Sequence, residues 1–161
     1  LEWIDAHSPE KVKSNFSMPL AEMIANSQMN LMRIIHYPPL NSEITDGAIR
    51  ASAHGDINLI TVLPASSQTG LQLLKESGDW MDIKCDPRWL VINSGDMLNE
   101  CSGGYYPSTI HRVINPKGES AKLPRYTMPV FIHPRDEVVL SDKYTARSFL
   151  DKRLMDIGLK S

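Results

Sequence analysis

Short apolar runs, separated by Gly, Pro, Asn and Ser, dominate the middle of the chain and predict a series of β-strands. The runs number about eight and have no helical pattern between them, which favours an antiparallel sandwich or jelly roll over βαβ units. The predicted fold class is therefore mainly β. The runs are Leu31–Tyr37, Ile49–His54, Leu59–Leu63, Leu71–Leu74, Trp80–Ile83, Leu90–Asn93, Thr109–Val113 and Arg125–His133.

Helical patterns are confined to the two ends of the chain. The segment Ser8–Glu10 has the residues of a helix start, with Ser8 as the N-cap, and Leu20–Ile24 has apolar residues at helical spacing. At the other end Ser141–Leu159 reads as a helix that Ser141 caps. The sequence therefore predicts one domain over residues 1–161, with a helical lead-in at 1–30, a jelly-roll core at 31–134 and a C-terminal helix at 141–159.

The composition describes a protein with its own hydrophobic core and no strongly charged face. Of its 161 residues 42% are hydrophobic, and the net charge of -2 comes from interspersed acidic and basic residues. Neither nucleic acid nor a membrane is expected as a partner, because no basic face and no apolar run of roughly 20 residues is present. Cys85 and Cys101 lack the Cys-x-x-Cys spacing. We expect a cytoplasmic monomer with reduced thiols, and the start at Leu1 without Met suggests a piece of a longer protein.

The segment His54-Gly55-Asp56 places two metal-binding side chains at positions i and i+2. On an extended strand such side chains share one face and lie about 7 Å apart along the chain. His111, in the later run Thr109–Val113, is the candidate for a third ligand. Two imidazoles and one carboxylate form the facial triad of non-haem Fe(II) oxygenases, which leaves positions on the metal open for a co-substrate and O2.

Each of these signals is weak when taken alone. His-x-Asp arises often by chance, and a histidine in a strand is more often a hydrogen-bonded structural residue than a ligand. His7, His36 and His133 have no partner at ligand spacing and are expected to be structural. A zinc hydrolase is disfavoured, because no general base lies beside the triad in sequence.

A second polar pair follows in the run Arg125–His133. The side chains of Arg125 and Thr127, again at i and i+2, point the same way from a strand. A guanidinium is a rigid fork of donors that matches a carboxylate, and the threonine hydroxyl adds a further donor. The pair therefore predicts a carboxylate site on a strand next to that of His111.

These residues and their surroundings resemble the isopenicillin N synthase-like family of Fe(II)/2-oxoglutarate-dependent oxygenases. The resemblance spans about Leu31 to Pro134, and the order and spacing of its segments both agree. It implies a double-stranded β-helix of the jelly-roll type, with flanking helices and with iron near one open end of the barrel. The segments that carry it are His36–Leu40, His54–Thr61, Val91–Leu98, Ser102–Tyr106 and Ser108–Val113.

The resemblance also implies roles for individual residues. His54, Asp56 and His111 would bind Fe(II), and Arg125 with Thr127 would take the family's Arg-x-Ser position, which binds the far carboxylate of 2-oxoglutarate. Three further roles follow from it. Tyr37 stands where the family often places a hydroxyl that holds this carboxylate or that of the substrate. Ile35 stands where many plant members have an asparagine that contacts the metal-bound end of 2-oxoglutarate. Asn58 and Phe131 are expected to line the pocket of the prime substrate.

The function that this resemblance implies is oxidative decarboxylation of 2-oxoglutarate coupled to hydroxylation or another oxidation of a small organic substrate by O2. Two alternatives stay open at this stage. One is an isopenicillin N synthase-type oxidase that uses Fe(II) and O2 without 2-oxoglutarate. The other is an inactive fragment or binding module, because the family implies a much longer protein whose N-terminal half covers the barrel.

Overall fold

The computed structural model describes residues 1–40 and 48–160, so part of the predicted core, residues 41–47, lies outside the described residues. The N-terminal region is helical, with α1 at Glu2–His7, α2 at Glu10–Lys13 and α3 at Leu20–Met23. One detail of the prediction is wrong: Pro9, and not Ser8, is the N-cap of α2. The Ser8 hydroxyl instead donates to the Ile4 carbonyl at 2.7 Å, where Ser8 is the C-cap of α1 within the predicted helical lead-in.

Twelve short strands follow in the described part of the chain, and every pairing between them is antiparallel. They form two four-stranded sheets, β1-β10-β4-β7 and β3-β8-β5-β6, and two ribbons, β2-β9 and β11-β12. The strands are β1 Leu31–Met32, β2 Ile35–Tyr37, β3 Ala51–His54, β4 Ile60–Pro64, β5 Leu71–Leu74, β6 Trp80–Asp82, β7 Leu90–Ser94, β8 His111–Val113, β9 Arg125–Thr127, β10 Val130–Ile132, β11 Val139–Ser141 and β12 Tyr144–Thr145. The mainly β, jelly-roll prediction is confirmed.

Two of the predicted runs are each divided between two sheets. Arg125–His133 forms β9 in one ribbon and β10 in a four-stranded sheet, and Leu31–Tyr37 divides in the same way into β1 and β2. Pro129 explains the break, because it has no N–H to continue a ladder. Its carbonyl accepts from the Arg33 N–H at 3.0 Å, between β1 and β2. The change of sheet brings the carboxylate-site strand β9 beside β2.

The first four-stranded sheet has two different faces. Phe131, Thr61 and Asn93 lie side by side on β10, β4 and β7 and line a cavity between the sheets. The neighbouring cross-strand row points the other way, as side chains alternate along a strand. That outward row consists of Met32, Val130, Val62 and Ile92.

The hydrophobic core lies where a helix that the sequence did not predict packs against the terminal elements. This helix, α4 at Asp96–Cys101, buries Met97, Leu98 and Cys101. The sequence pattern predicted neither a strand nor a helix between the runs Leu90–Asn93 and Thr109–Val113, so the apolar residues of this helix went unassigned. They join a core cluster with the following residues of other elements: Leu20, Met23, Leu59, Ile60, Val138, Leu140, Ala146 and Phe149.

The C-terminal helix is shorter than predicted. Helix α5 spans Ala146–Asp156, and its N-cap is Thr145, not Ser141. Ser141 ends β11, which pairs with β12 in a hairpin that precedes the helix. Thr145 and Ser148 form a reciprocal capping box, and this satisfies two backbone N–H groups that would otherwise be unpaired.

Candidate active site

The two candidate histidine ligands face each other on paired strands. His54 on β3 is the register partner of His111 on β8, and their ring centroids are 4.4 Å apart. Asp56 lies just beyond the end of β3, with its Oδ1 atom 4.0 Å from His54 Nε2 and 3.8 Å from His111 Nε2. The three potential ligand atoms all lie within 4.8 Å of one another. The three atoms are therefore close enough to share one metal ion.

Backbone carbonyls orient both imidazoles for metal binding. His54 Nδ1 is 2.7 Å from the Ser52 carbonyl, and His111 Nδ1 is 3.0 Å from the Thr109 carbonyl. A carbonyl oxygen only accepts hydrogen bonds, so each Nδ1 is a donor and Nε2 is the atom of each ring that can bind a metal. Such an outer bond is the usual support of a histidine that binds metal. The donor set therefore fits a divalent metal ion.

The Asp56 carboxylate is held by polar side chains of the first sheet. Its Oδ2 atom accepts from Thr61 Oγ1 at 2.5 Å and from Asn93 Nδ2 at 3.0 Å, whereas Oδ1 faces the two histidines. Asn58 Nδ2 in turn donates to Thr61 Oγ1 at 3.0 Å, which leaves the threonine proton for Asp56. The sequence prediction did not assign Thr61 and Asn93 to the site. The available signal was a polar residue inside each of two apolar runs.

This network predicts the effect of a substitution at Thr61. Thr61→Val keeps the shape of the side chain but removes the hydrogen bond to Asp56, so we expect Fe(II) affinity to fall by about 10–100-fold. Anaerobic titration with Fe(II) measures the change. Thr69→Val, at an exposed threonine, is the control and should leave Fe(II) affinity unaltered. Equal Fe(II) affinities of wild type and Thr61→Val would show that the bond does not support the ligand.

Asp56 is placed by close packing and not by the strand that the sequence predicted. Strand β3 ends at His54, and the Asp56 carbonyl accepts from the Asp96 N–H at 2.8 Å at the start of α4. A Cβ atom on Gly55 would lie only 2.7 Å from the Ser108 hydroxyl, so this position favours glycine. A Cβ atom on Gly95 would overlap the Asn58 backbone. Close packing at both glycines therefore holds α4 against the ligand segment.

The predicted carboxylate site lies on β9 and its neighbour β2. Arg125 and Thr127 are buried and Tyr126 between them is exposed, as the i and i+2 pattern requires. Tyr37 is the register partner of Arg125, and its ring centroid is 5.3 Å from the guanidinium carbon. Burial lowers the pKa of the Arg125 guanidinium from its ordinary value, although such a group stays charged at neutral pH. The site is thus a buried positive charge.

One nitrogen of that guanidinium has no partner among the described residues. Arg125 is only 1% exposed, and its Nη1 atom makes no hydrogen bond. Nε donates to the Gln68 carbonyl at 3.2 Å, and Nη2 donates to the Ser66 hydroxyl at 2.7 Å. A buried donor without an acceptor is costly. This arrangement is therefore suited to an anionic ligand.

All six residues that the sequence singled out line one cavity between the sheets. Its walls are mostly apolar and include Ile35, Leu63 and Phe131. Asn58, which was expected in the substrate pocket, is instead fully buried in the Thr61 network, so that prediction is wrong. The six are His54, Asp56, His111, Tyr37, Arg125 and Thr127.

Of the histidines outside the triad, His133 lies close enough to the ligand Asp56 for their charges to interact. Burial lowers the pKa of the His133 imidazole, and the nearby Asp56 charge opposes this shift. His133 is nevertheless not part of the ligand cluster. The ring of His36 stacks on that of Tyr126 at 4.8 Å, on the outward side of β2 and β9. The His7 ring stacks on Trp3 at 4.2 Å.

Comparison with known proteins identifies the family. Residues 28–134 match the sequence profile of the 2OG-Fe(II) oxygenase superfamily. This chain belongs to that superfamily. Proteins of the 2OG-Fe(II) oxygenase superfamily use Fe(II) and 2-oxoglutarate with O2 and a small-molecule substrate. The narrower isopenicillin N synthase-like group stays a prediction.

Individual members of the superfamily match different shares of the chain. One solved structure is described as that of an oxygenase from Shewanella oneidensis, and its sequence is 53% identical to that of this chain. The two structures superpose with a TM-score of 0.90, over 99% of this chain and 59% of the other. A full-length protein from Neurospora crassa, solved in complex with α-ketoglutarate, is 27% identical with a TM-score of 0.75, over 85% and 47% of the two chains. A 2-oxoglutarate-Fe(II) type oxidoreductase of Aspergillus fumigatus is 34% identical over 101 residues, which are 62% of this chain and 29% of that protein. The chain thus spans only part of the relatives that it matches.

Membrane crossing was not expected from the sequence. No helix in residues 1–40 or 48–160 combines the length and the apolarity that a membrane span requires.

Proposed function

We propose that this chain is the catalytic core of an Fe(II)- and 2-oxoglutarate-dependent oxygenase that oxidises a small organic substrate. The observation that carries the proposal is a single cavity with a His-Asp-His triad and with a buried arginine whose Nη1 atom has no partner in the described part of the chain. A dicarboxylate fits these two features together, because one end can reach the metal and the other the guanidinium. Superfamily membership supports the same function.

The triad residues would hold the metal in this mechanism. His54 and His111 would bind Fe(II) through their free Nε2 atoms and Asp56 through Oδ1. Bound Fe(II) would supply the activation of O2, which couples decarboxylation of 2-oxoglutarate to succinate and CO2 with oxidation of the substrate. Three protein ligands leave room on the metal for the co-substrate and O2.

The remaining cavity residues would orient the co-substrate and exclude water. Arg125 Nη1 and the Thr127 hydroxyl would donate to its far carboxylate, with Tyr37 beside them. Ile35, Leu63 and Phe131 would shield the reacting atoms from solvent. The His54 side chain is 47% exposed, whereas those of Asp56 and His111 are 6% and 14% exposed. Substrate would therefore approach the metal from the His54 side.

Product analysis tests this function. The Fe(II)-loaded protein is given 2-oxoglutarate, O2 and candidate organic acids, and succinate and CO2 are quantified. Succinate formed in proportion to the oxidised substrate supports the proposal. Substrate oxidation without succinate would replace it by the isopenicillin N synthase-type oxidase. Failure to bind Fe(II) at all would favour an inactive fragment or binding module.

We propose further that the chain, residues 1–161, is the C-terminal half of a longer protein and that other polypeptide covers its first four-stranded sheet. The outward row of that sheet, Met32, Val130, Val62 and Ile92, is apolar, and both ends of the row are about 60% exposed. Leu90, further along β7, is 63% exposed. Val62, in the middle of the row, packs against the core of this chain, so the exposed apolar part consists of the ends of the row and Leu90. Exposed apolar patches often mark an interface. The Shewanella oneidensis structure, whose matched part is 59% of its chain, has additional polypeptide that could cover such a face.

A longer version of the protein is accordingly expected to be more stable than these 161 residues alone. Covering the apolar face removes it from water in the folded state, which raises the free energy of unfolding. Thermal unfolding of both versions measures the difference, and Ile92→Thr should improve the solubility of the short one only. Equal melting temperatures and solubilities would contradict the proposal.

We also propose that the whole protein is a cytoplasmic monomer. Size-exclusion chromatography tests its oligomeric state, and cell fractionation tests its location.

A further inference from the structure

The turn that follows β4 fixes the direction in which Arg125 offers its free nitrogen. Gln68 accepts from Nε at 3.2 Å through its carbonyl, and Ser66 accepts from Nη2 at 2.7 Å through its hydroxyl. A planar guanidinium held at two of its three nitrogens has little freedom to rotate. Nη1, the third nitrogen, is buried and unpartnered among the described residues. The turn therefore determines where a ligand meets Arg125.

The same Ser66 hydroxyl reaches the second donor of the site. Ser66 Oγ donates its single proton to Thr127 Oγ1 at 3.1 Å. Thr127 Oγ1 therefore acts as an acceptor towards Ser66, and its own proton is left to donate elsewhere. The described residues provide no acceptor for that proton. Arg125, Ser66 and Thr127 thus form a one-way chain of hydrogen bonds whose last donor is unused.

The metal end of the cavity shows the same arrangement with its acceptor present. There Asn58 donates to the Thr61 hydroxyl, and Thr61 donates to the carboxylate of Asp56. In the series of hydrogen bonds at the Arg125 end of the cavity, Ser66 corresponds to Asn58 and Thr127 corresponds to Thr61. A carboxylate that accepts the Thr127 hydroxyl proton would complete this second series of hydrogen bonds, as Asp56 completes the first. Bonds that polarise one another in such a chain are stronger than isolated ones.

We propose that Ser66 is a positioning residue for the co-substrate, which directs both Arg125 Nη1 and the Thr127 proton at the far carboxylate without touching it. The inference rests on the proposed function. Ser66 would raise the affinity for 2-oxoglutarate by fixing donor direction, so its effect should depend on the ligand's second carboxylate. A merely structural role in the turn would affect all ligands alike.

Ser67 provides a matched control in the same turn. Its hydroxyl accepts from the Tyr126 N–H at 2.8 Å, and its own N–H donates to the Tyr126 carbonyl at 3.1 Å. Ser67 is exposed, and among the described residues its hydroxyl has no hydrogen bond to Arg125. Ser66→Ala and Ser67→Ala therefore each remove one hydroxyl from this turn, but only the first removes a bond to Arg125 and Thr127.

The experiment is anaerobic calorimetric titration of the Fe(II)-loaded protein with 2-oxoglutarate and, separately, with pyruvate, a 2-oxo acid that lacks the second carboxylate. Ser66→Ala should weaken 2-oxoglutarate by about tenfold, the value of one bond to a charged group, and leave pyruvate and Fe(II) affinities unchanged. Ser66→Thr should restore most of the 2-oxoglutarate affinity, and Ser67→Ala should bind both acids like the wild type. In a Thr127→Val background, the effect of Ser66→Ala should shrink, because one of its two targets is gone.

Each alternative result has a definite meaning. Wild-type affinity of Ser66→Ala for 2-oxoglutarate would overturn the inference. So would an equal loss for pyruvate, or an equal loss in Ser67→Ala, because either result indicates general damage to the turn. If the wild type binds Fe(II) but not 2-oxoglutarate, the proposed function itself fails, and this outcome differs from the three preceding ones.

Discussion

Replacement of Asp56 by Ala is expected to lower the Fe(II) affinity of the protein by more than about 100-fold. Removing a residue that only supports a ligand typically costs about 10–100-fold, and Asp56 is itself a predicted ligand. Asp56 is the only carboxylate in the ligand cluster found among the described residues, and its Oδ1 atom faces both imidazoles. Without it, two neutral histidines remain, one of them half exposed, and water competes for the metal. Anaerobic Fe(II) titration of each purified variant measures the effect, and His54→Ala should behave in the same way.

His133→Ala is the control for this prediction. His133 is half-buried and close enough to Asp56 for their charges to interact, but it lies outside the ligand cluster, so its removal should leave Fe(II) binding intact. Circular dichroism of each variant separates loss of a ligand from loss of the fold. If Asp56→Ala retains wild-type Fe(II) affinity, or if His133→Ala loses as much, the ligand assignment is wrong.

Arg125→Lys should weaken the binding of 2-oxoglutarate by roughly 1–3 kcal/mol while sparing Fe(II). Lysine keeps the positive charge but has one nitrogen, so it cannot donate to Gln68, Ser66 and a ligand in the planar geometry that Arg125 has. The buried site would then lose the donor that Nη1 offers. Calorimetric titration of the Fe(II)-loaded variant with 2-oxoglutarate, followed by succinate assays, measures the change.

Substitutions at Thr127 and Arg88 refine this test. Thr127→Val should weaken 2-oxoglutarate more mildly than Arg125→Lys, as it removes a neutral donor, and Thr127→Ser should be nearly silent. Arg88→Lys, at an exposed arginine paired with Asp86, is the control for the loss of a guanidinium. Two results together would favour the isopenicillin N synthase-type oxidase instead. The wild type would fail to bind 2-oxoglutarate, and Arg125→Lys would bind a carboxylate substrate more weakly than the wild type does.

The two polar networks explain why the metal and carboxylate ends of the cavity should respond separately to mutation. Thr61 and Asn93 support Asp56, whereas Ser66 supports Arg125 and Thr127, and the structure shows no hydrogen bond between the two groups among the residues it describes. Mutations at sites that share no partner are usually additive in their free energies. Variants such as Thr61→Val and Ser66→Ala should therefore affect Fe(II) and 2-oxoglutarate binding independently.

The fold class predicted from the sequence is confirmed, and the six site residues predicted from it line one cavity. Alternating apolar runs indicate strands wherever they occur, and a strand places residues i and i+2 on one face. This is why Arg125 and Thr127 could be paired from their spacing, and the structure buries both with Tyr126 exposed between them. The family resemblance then linked this pair to His54, Asp56 and His111, which are distant from it in sequence.

Local patterns could not show where strands change sheet or where turns become helices. Pro129 can mark a break in a strand, but only the pairing shows that β9 and β10 belong to different sheets. The apolar residues of α4 likewise acquire their role only when they pack in the core. The same limit applies to the residues that support the site. Ser66 and Thr127 are 61 positions apart, and Asn93 lies 37 positions from Asp56. Because hydrogen bonds between such distant residues form only once the sheets face each other, the tertiary structure alone decided which polar side chains orient the ligands.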